Sequence, residues 1–338
     1  MISAISNLIA MYPGSLEQAG RAYPNLPGWP SYEVGGKKVG FVPIPIHTVN
    51  DFYDYELNPD AICPRQDQLW KLVEETPEYK KETENQKDLL KTVAKLSGEN
   101  VTLTNLWLIA DALFIEKTWN KTWNTGFTKD LFQQINDTND LVEYWNNGLK
   151  LNKYRGIDFS IELPKIRGGP LMKTLIDNMQ MKLNCTTSNN TYEYCSVFKN
   201  LKYHAFSAHD TTLAALFSIL RFNYTNWNED GYPHYSSAIS LELWKNNDGT
   251  NTVKFIYFPL KENNIDHDEI EIDIPPCSGS CTIESLISNF KKFGNETDPA
   301  TLCNTDINPD ANGTAKICFN FWNFVFIFVF GLIFKICV

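Results

Sequence analysis

The sequence lacks the glycine-rich loops that bind nucleotides and the cysteine and histidine spacings that bind zinc. None of the patterns GxGxxG, GxxxxGK(S/T) and GxSxG occurs in its 338 residues, which argues against a dinucleotide-binding turn, a P-loop and a serine-hydrolase elbow. The eight cysteines form no CxxC pair, and none of the five histidines lies three or four residues from another. The sequence therefore contains no zinc motif, and no metal or cofactor is expected.

Clusters of basic residues are also missing, as is a typical secretory leader. Lysine and arginine together number 30 against 40 aspartates and glutamates, which gives a net charge of −10. A chain this acidic is a poor partner for nucleic acid. The segment MISAISNLIAM at the start carries no basic residue and no clear cleavage site, so it predicts an amphipathic helix rather than a signal peptide.

Cysteines and glycosylation sequons nevertheless indicate the secretory pathway. The chain has eight cysteines and eight Asn-x-Ser/Thr sequons. The glycosylation candidates are Asn100, Asn120, Asn136, Asn184, Asn189, Asn223 and Asn295, and a further sequon begins at Asn312. A protein of this kind needs an entry signal, so the polypeptide is expected to begin upstream of Met1.

The carboxyl-terminal segment is mostly apolar. Residues 319–338 read FNFWNFVFIFVFGLIFKICV, which is about long enough to cross a bilayer as one helix. We predict a single-pass membrane protein whose main part is lumenal or extracellular, in the lysosome or at the cell surface. A glycosylphosphatidylinositol anchor attached near Asn312 is the alternative, and the short spacer and Lys335 count against it.

Hydrophobic periodicity divides the remaining chain into a helical part and a mixed part. Residues 61–165 have apolar side chains at helical spacing and predict an all-helical block. The other predicted elements are a strand at 38–49, a helix at 170–183, a hairpin of strands at 236–244 and 252–258, and a helix at 283–293. The prolines near residue 45 place the first of these strands at a sheet edge or a strand end.

One stretch of the mixed part combines a strand, a helix and polar side chains between them. Residues 202–207 predict a short buried strand, and residues 212–220 an apolar helix. His209 and Asp210 lie between the two, at the junction where open α/β sheets bind ligands. The free N–H groups of the helix end suit an anion. On spacing alone, a simple N-cap at Asp210 and a structural histidine at 209 are the more common explanation of such a short pattern.

Several motifs, in order along the chain, resemble one known family. Ser207-Ala-His-Asp-Thr-Thr-Leu213 resembles the second signature of the histidine acid phosphatases. Residues 1–8, 43–49, 63–65, 96–98, 168–169 and 276–281 resemble the animal lysosomal and prostatic members. The resemblance covers nearly all of residues 1–305. It implies an α/β fold, with a histidine-phosphatase (phosphoglycerate-mutase-like) sheet domain and a helical cap subdomain.

The resemblance also implies how the chain is organised. Residues 1–60 and 166–305 would form the α/β catalytic domain without its first strand, 61–165 the helical cap, 306–318 a linker and 319–338 the transmembrane segment. Disulfides Cys63–Cys303 and Cys277–Cys281 follow from the family. The short spacing of Cys185 and Cys195 indicates a third disulfide by itself. A homodimer is a further expectation from the family.

For function, the resemblance implies hydrolysis of phosphate monoesters through a phosphohistidine intermediate. His209 matches the family's second histidine, which binds the phosphoryl group. Asp210 matches the acid that protonates the leaving oxygen. An aspartic acid with a reference pKa of about 3.9 must be protonated to act, so an acidic optimum is implied.

The family's first signature, Arg-His-Gly-x-Arg, has no match in the sequence. In the family this segment supplies the attacking histidine and two phosphate-binding arginines, and a third arginine would fall just upstream of Met1. Two hypotheses follow. The chain is an acid phosphatase whose sequence is truncated at its amino end, or it is a catalytically inactive, membrane-anchored relative that acts as a binding glycoprotein.

Overall fold

The computed structural model describes most of the chain between residues 2 and 309. The described residues are 2–11, 31–34, 37–40, 44–124, 126–187, 192–221, 233, 235–261, 266–272, 281–293 and 297–309. The predicted features outside them include Cys277, the sequons at Asn189, Asn223, Asn295 and Asn312, residues 310–318 of the linker, and the apolar segment 319–338. Within the described ranges, no helix is both long enough and apolar enough to span a bilayer.

Helices make up most of the described structure. They are α1 (Ile2–Met11), α2 (Pro64–Glu75), α3 (Pro77–Asn85), α4 (Lys87–Ser97), α5 (Leu106–Thr118), α6 (Lys129–Asn146), α7 (Phe159–Arg167), α8 (Gly169–Thr187), α9 (Cys195–Phe198), α10 (Asp210–Leu220), α11 (Ile283–Phe290) and α12 (Pro299–Cys303). Short 3-10 turns lie at Asp51–Tyr53, Leu103–Asn105 and Lys291–Phe293. The strands are β1 (Ser31–Val34), β2 (Lys37–Gly40), β3 (Ala238–Lys245), β4 (Asn251–Phe258), β5 (Ile270–Glu271) and β6 (Cys281–Thr282).

Local capping signals explain where many of these helices begin and end. Thr76 accepts a hydrogen bond from the Tyr79 N–H at the start of α3, and Thr128 accepts one from Leu131 at the start of α6. Prolines occupy the first turn of α2, α3 and α12, where the missing N–H would have no partner within the helix. Helix α4 ends at Gly98, which adopts the left-handed conformation common at helix ends.

A first hydrophobic cluster lies among helices α2 to α7. Its buried members include Leu69, Leu106, Ile135 and Leu163. The buried disulfide Cys63–Cys303 belongs to the same cluster and joins the start of α2 to α12, across 240 residues of sequence. We call this group the helical cluster.

A second hydrophobic cluster packs the larger sheet against α8, α10 and α11. Strands β3 and β4 form an antiparallel hairpin, and β5 and β6 both pair antiparallel with β4. Phe217 of α10 packs edge-on against Tyr257 of β4, with ring centroids 5.2 Å apart. Helix α7 contacts both α2 and α10, so it connects the two clusters. The domain boundaries at residues 60 and 165 stay a prediction.

Several elements lie where the sequence predicts them. The β3–β4 hairpin, α8, α10 and α11 fall within a few residues of their predicted positions, so these predictions are confirmed. In each case the signal is local: a turn between alternating strands, or an apolar run with a cap at its start.

The predicted buried strand at 202–207 is wrong in the described structure, and the strand predicted at 38–49 is confirmed only over residues 38–40. Residues 202–207 have no regular secondary structure, and all of them except Phe206 are exposed. Residues 44–49 are likewise irregular and mostly exposed, and the strand in that region is β2, which covers Lys37–Gly40. A buried strand needs a neighbouring strand to satisfy its backbone groups, and the described sheets pair neither segment.

A left-handed glycine after α6 leads to a testable prediction. Gly148 has a φ of +75°, and a β-carbon there would lie 2.2 Å from the carbonyl oxygen of Phe159. We expect Gly148→Ala to lower the free energy of unfolding by about 2–4 kcal/mol, because it adds a steric clash with backbone to left-handed strain. Denaturant titration of the purified variant measures the loss.

Gly98 provides the matched control for this substitution. Its φ is +79°, but no atom lies within 4 Å of a β-carbon built on it. Gly98→Ala should therefore cost about 1 kcal/mol from strain alone. Equal losses in the two variants would show that the structure relieves the clash at Gly148, and would contradict the prediction.

Candidate active site

The predicted site residues lie at the beginning of helix α10. His209 precedes the first turn with an extended backbone (φ −102°, ψ 166°), and Asp210 is the first helical residue. The side chain of His209 is exposed, whereas that of Asp210 is partly buried. The Asp210 Oδ1 atom accepts a hydrogen bond of 2.8 Å from the Thr211 N–H. The two side chains therefore stand at a helix N-terminus, although no strand leads into it.

Contacts from two other parts of the chain hold this helix end in place. The hydroxyl of Thr212, which is buried, accepts a hydrogen bond of 3.3 Å from the His209 N–H and donates one to the carbonyl oxygen of Leu57. Gly168, at the junction of α7 and α8, lies against Ala215 of α10. A β-carbon on Gly168 would be 2.3 Å from the Ala215 carbonyl oxygen. This close approach needs glycine, and it fixes the distance between α10 and α7.

The surroundings of Asp210 favour its protonated form. Burial raises the pKa of the Asp210 carboxyl above its ordinary value, and the charge of Asp111 raises it further. The Thr211 N–H and the charge of His209 lower this pKa, without cancelling the rise. A carboxyl group whose pKa is raised keeps its proton to higher pH, as a general acid requires.

Two residues that the sequence analysis did not select also belong to this site. Asp111, an exposed residue of α5, raises the pKa of the Asp210 carboxyl through its charge. The ring of Tyr235 packs edge-on against Phe114, with centroids 5.4 Å apart. Burial raises the pKa of the Tyr235 hydroxyl, and the charges of Asp111 and Asp210 raise it further. Asp111 is the one charged residue in the apolar run 106–115. A single charge in an apolar helix is the sequence signal that could have marked it as a candidate site residue.

The other described histidines and arginines make their contacts elsewhere. His204 Nδ1 lies 3.2 Å from the Asn178 amide nitrogen, His267 Nε2 lies 2.8 Å from the Ser236 carbonyl oxygen, and His47 is exposed. The arginine contacts are Arg65 with Glu162, Arg155 with Glu75, Arg167 with Asp60, and Arg221 with the Ser160 carbonyl oxygen. His234 lies outside the described residues. Across the described ranges, no group of three or more His, Cys, Asp or Glu side chains could hold a metal ion.

Disulfides and sequons were also predicted from the sequence. The structure contains the disulfides Cys63–Cys303 and Cys185–Cys195, and Cys281 is disulfide-bonded as well. Asn100, Asn120 and Asn184 are exposed, whereas Asn136 lies inside α6 and the threonine of its sequon, Thr138, is buried. Glycosylation at these positions stays a prediction.

Comparison with known proteins identifies the same family as the sequence motifs. The model of the histidine phosphatase superfamily (branch 2) matches residues 1–258. The chain is 27% identical over 298 residues to Putative acid phosphatase 5 of Caenorhabditis elegans, which covers 87% of this chain and 59% of that protein. It is 28% identical over 290 residues to the lysosomal acid phosphatase of Xenopus laevis, which covers 85% of this chain and 57% of that protein. The chain spans a little under 60% of the length of these two relatives.

Among solved structures, the apo form of Hafnia alvei phytase aligns with a TM-score of 0.43 at 14% sequence identity, over 74% of this chain and 69% of that one. The family model covers well over half of the 338 residues and includes both predicted site residues. The fold class expected from the motifs is thereby confirmed. The chain belongs to the histidine phosphatase superfamily, branch 2.

Proposed function

We propose that this chain carries the proton-donating half of an acid phosphatase site, which hydrolyses phosphate monoesters through a phosphohistidine intermediate. The observation that supports this most directly is the position of His209 and Asp210 at the start of α10, within a chain of the histidine phosphatase family. In this proposal Asp210 is the general acid and His209 binds the phosphoryl oxygens.

The environment of Asp210 supports the role of proton donor. As the bond between phosphorus and the ester oxygen breaks, that oxygen gains negative charge and leaves more easily if it takes a proton. Asp210 is partly buried and its pKa is raised, so more of it is protonated at mildly acidic pH than is the case for an exposed aspartate. The proton moves from the Asp210 carboxyl to the leaving oxygen, and water later restores it.

The position of His209 supports a role in binding phosphate. Its side chain is exposed at the N-terminal end of α10, where the helix dipole favours an anion. A protonated imidazole at this point adds positive charge for the oxygens of the phosphoryl group.

The family's attacking histidine belongs to a segment that has no match in this sequence. The 338 residues contain no Arg-His-Gly-x-Arg segment, and we propose that the chain as printed is inactive without one. The same observation favours a second candidate function, a membrane-anchored binding glycoprotein that retains the fold. The lysosomal acid phosphatase relative and the sequons support a lysosomal or secretory location, with anchoring through residues 319–338 as a further part of the proposal.

A fusion protein tests the proposed activity. A segment bearing the family's first signature is joined ahead of Met1, and hydrolysis of 4-nitrophenyl phosphate is measured at acidic pH. We expect the fused protein to turn over this ester and Asp210→Asn to lower its kcat by about 10²- to 10⁴-fold, the usual contribution of a general acid. Asp88→Asn, at an exposed first-turn aspartate of α4, is the matched control and should leave the rate unchanged.

Three results would contradict the proposal. A folded fusion protein whose turnover does not depend on Asp210 would remove the assigned acid. Turnover by the unfused chain that His209→Ala abolishes would show that the chain is active as printed. Binding of phosphate without turnover in the folded fusion protein would favour the binding glycoprotein instead.

A further inference from the structure

A small cavity lies at the end of α10 opposite to His209 and Asp210. Its volume is about 20 Å³, which is room for roughly one or two water-sized groups. Two of the residues that line it are basic, Arg221 and Lys292, and a third, Asn289, carries an amide. No aspartate or glutamate is among the described residues of its wall. The cavity therefore combines positive charge with a space of the size that a small ion needs.

The two basic side chains converge on one aromatic ring. The guanidinium carbon of Arg221 lies 5.5 Å from the ring centroid of Phe293, and the Nζ atom of Lys292 lies 5.1 Å from it. Phe293 is 1% exposed, so the ring is a fixed support for both. Contacts with the ring do not remove the repulsion between the two cations. In agreement, the pKa of the Lys292 amine is lowered, first by its partial burial and then by the charge of Arg221.

Helix α7 holds both cations in place. The Nη2 atom of Arg221 donates a hydrogen bond to the carbonyl oxygen of Ser160, near the start of α7. Lys292 belongs to the 3-10 turn Lys291–Phe293, which also packs against α7. An arginine after α10 suits the negative end of the helix dipole, but this does not account for Lys292. The two charges are thus brought together by the fold before any ligand binds, which lowers the cost of binding one.

The remainder of the wall is mostly apolar and buried. Met172, Ile219, Leu286 and Phe290 contribute to it, and such surroundings strengthen hydrogen bonds from charged donors. Lys292 is exposed and forms no ion pair with another residue that the structure describes. An anion from solvent can therefore reach the amine.

We propose that this cavity is a binding site for a small oxyanion such as inorganic phosphate, held by Arg221 and Lys292. The negative charge of the anion offsets the repulsion between the two cations, and one or two of its oxygens enter the cavity. Helix α10 has 11 residues and is therefore about 16 Å long. The site is separate from His209 and Asp210, and the inference does not depend on the proposed function.

Methyl NMR of the 338-residue chain, with carbon-13 in the methionine methyl groups, tests the proposal at the cavity itself. The chain has five methionines, of which Met172 lines the cavity, and its signal is assigned as the one that Met172→Leu removes. Inorganic phosphate is titrated at neutral pH and constant ionic strength. We expect a saturable change in the Met172 signal. Lys292→Gln should weaken this binding by about tenfold or more, because it removes one charge-assisted hydrogen bond.

Two lysine variants provide the matched controls. Lys291→Gln removes a neighbouring exposed lysine that is not among the described residues of the cavity wall, and it should bind phosphate like the original protein. Lys292→Arg keeps the charge and should keep most of the affinity. His209→Ala changes the opposite end of α10 and should leave the Met172 response intact.

Four results would overturn the inference. The first is a Met172 signal that phosphate does not change, and the second is an unchanged affinity in Lys292→Gln. The third is an equal response to chloride at the same ionic strength, because the effect would then be general screening of charge. The fourth is loss of the Met172 response in His209→Ala, since phosphate would then act from the opposite end of the helix.

Discussion

Replacing Cys63 and Cys303 together with alanine is expected to lower the free energy of unfolding by about 5 kcal/mol. The disulfide closes a loop of 240 residues. In the chain-entropy model, removing a crosslink increases the freedom of the unfolded chain, and the effect grows with the logarithm of loop length. Both cysteines are buried in the helical cluster, so alanine is the replacement that adds no buried polar group.

The second described disulfide provides the matched control. Cys185 and Cys195 are separated by 10 residues, and the same relation gives about 2.5–3 kcal/mol for replacing that pair with alanine. Guanidinium unfolding of both double variants, without reducing agent, measures the two losses. Equal losses would show that loop length is not the source of the stabilisation, and would contradict the prediction.

Arg167→Ala is expected to cost about 3 kcal/mol through the loss of buried hydrogen bonds. Arg167 is 2% exposed at the end of α7. Its Nε atom donates to Asn147 Oδ1 at 3.0 Å, its Nη1 atom donates to Asp60 Oδ1 at 2.7 Å, and its guanidinium lies 5.2 Å from the Trp70 ring centroid. The Asp60 side chain is half-exposed, so solvent screens that ion pair. Most of the expected loss of stability comes from Asn147, because its buried side-chain oxygen would no longer receive the hydrogen bond from Arg167.

Lys87→Ala is the control for an ion pair in water. Lys87 pairs with Glu84 at 3.0 Å, but their side chains are 68% and 75% exposed. We expect a loss below about 0.5 kcal/mol for this variant. Urea midpoints at an unchanged m-value compare the two substitutions. A loss in Arg167→Ala as small as that in Lys87→Ala would mean that water replaces the contacts of the arginine.

Local signals in the sequence predict a large part of this fold. The β3–β4 hairpin follows from alternating apolar residues around the turn at 246–249, and α10 follows from an apolar run with polar residues before it. The placement of His209 and Asp210 depends on α10 alone, so it could be predicted although the preceding strand was wrong. The resemblance to the family could also be found from the sequence, because several short motifs occur in the family's order along the chain.

Features that depend on distant residues could not be predicted in the same way. The segment 202–207 has the composition of a strand, but a strand forms only with a partner, and pairing is not encoded in a single segment. Phe114 of α5 and Tyr235 are far apart in sequence, and nothing in either local pattern shows that their rings pack together. The raised pKa of Asp210 arises from burial and from Asp111, and both require the packed structure.

The loop at residues 57–60 contacts both α10 and α7, and these contacts bear on local unfolding near the site. The Leu57 carbonyl oxygen accepts a hydrogen bond from the Thr212 hydroxyl, which in turn accepts one from the His209 N–H. Asp60 forms an ion pair with Arg167 at the end of α7. Motion of this loop therefore breaks contacts at α10 and α7 in a single event. We expect its residues and the first turn of α10 to open together, so that hydrogen exchange would give their amide hydrogens a common free energy of local opening.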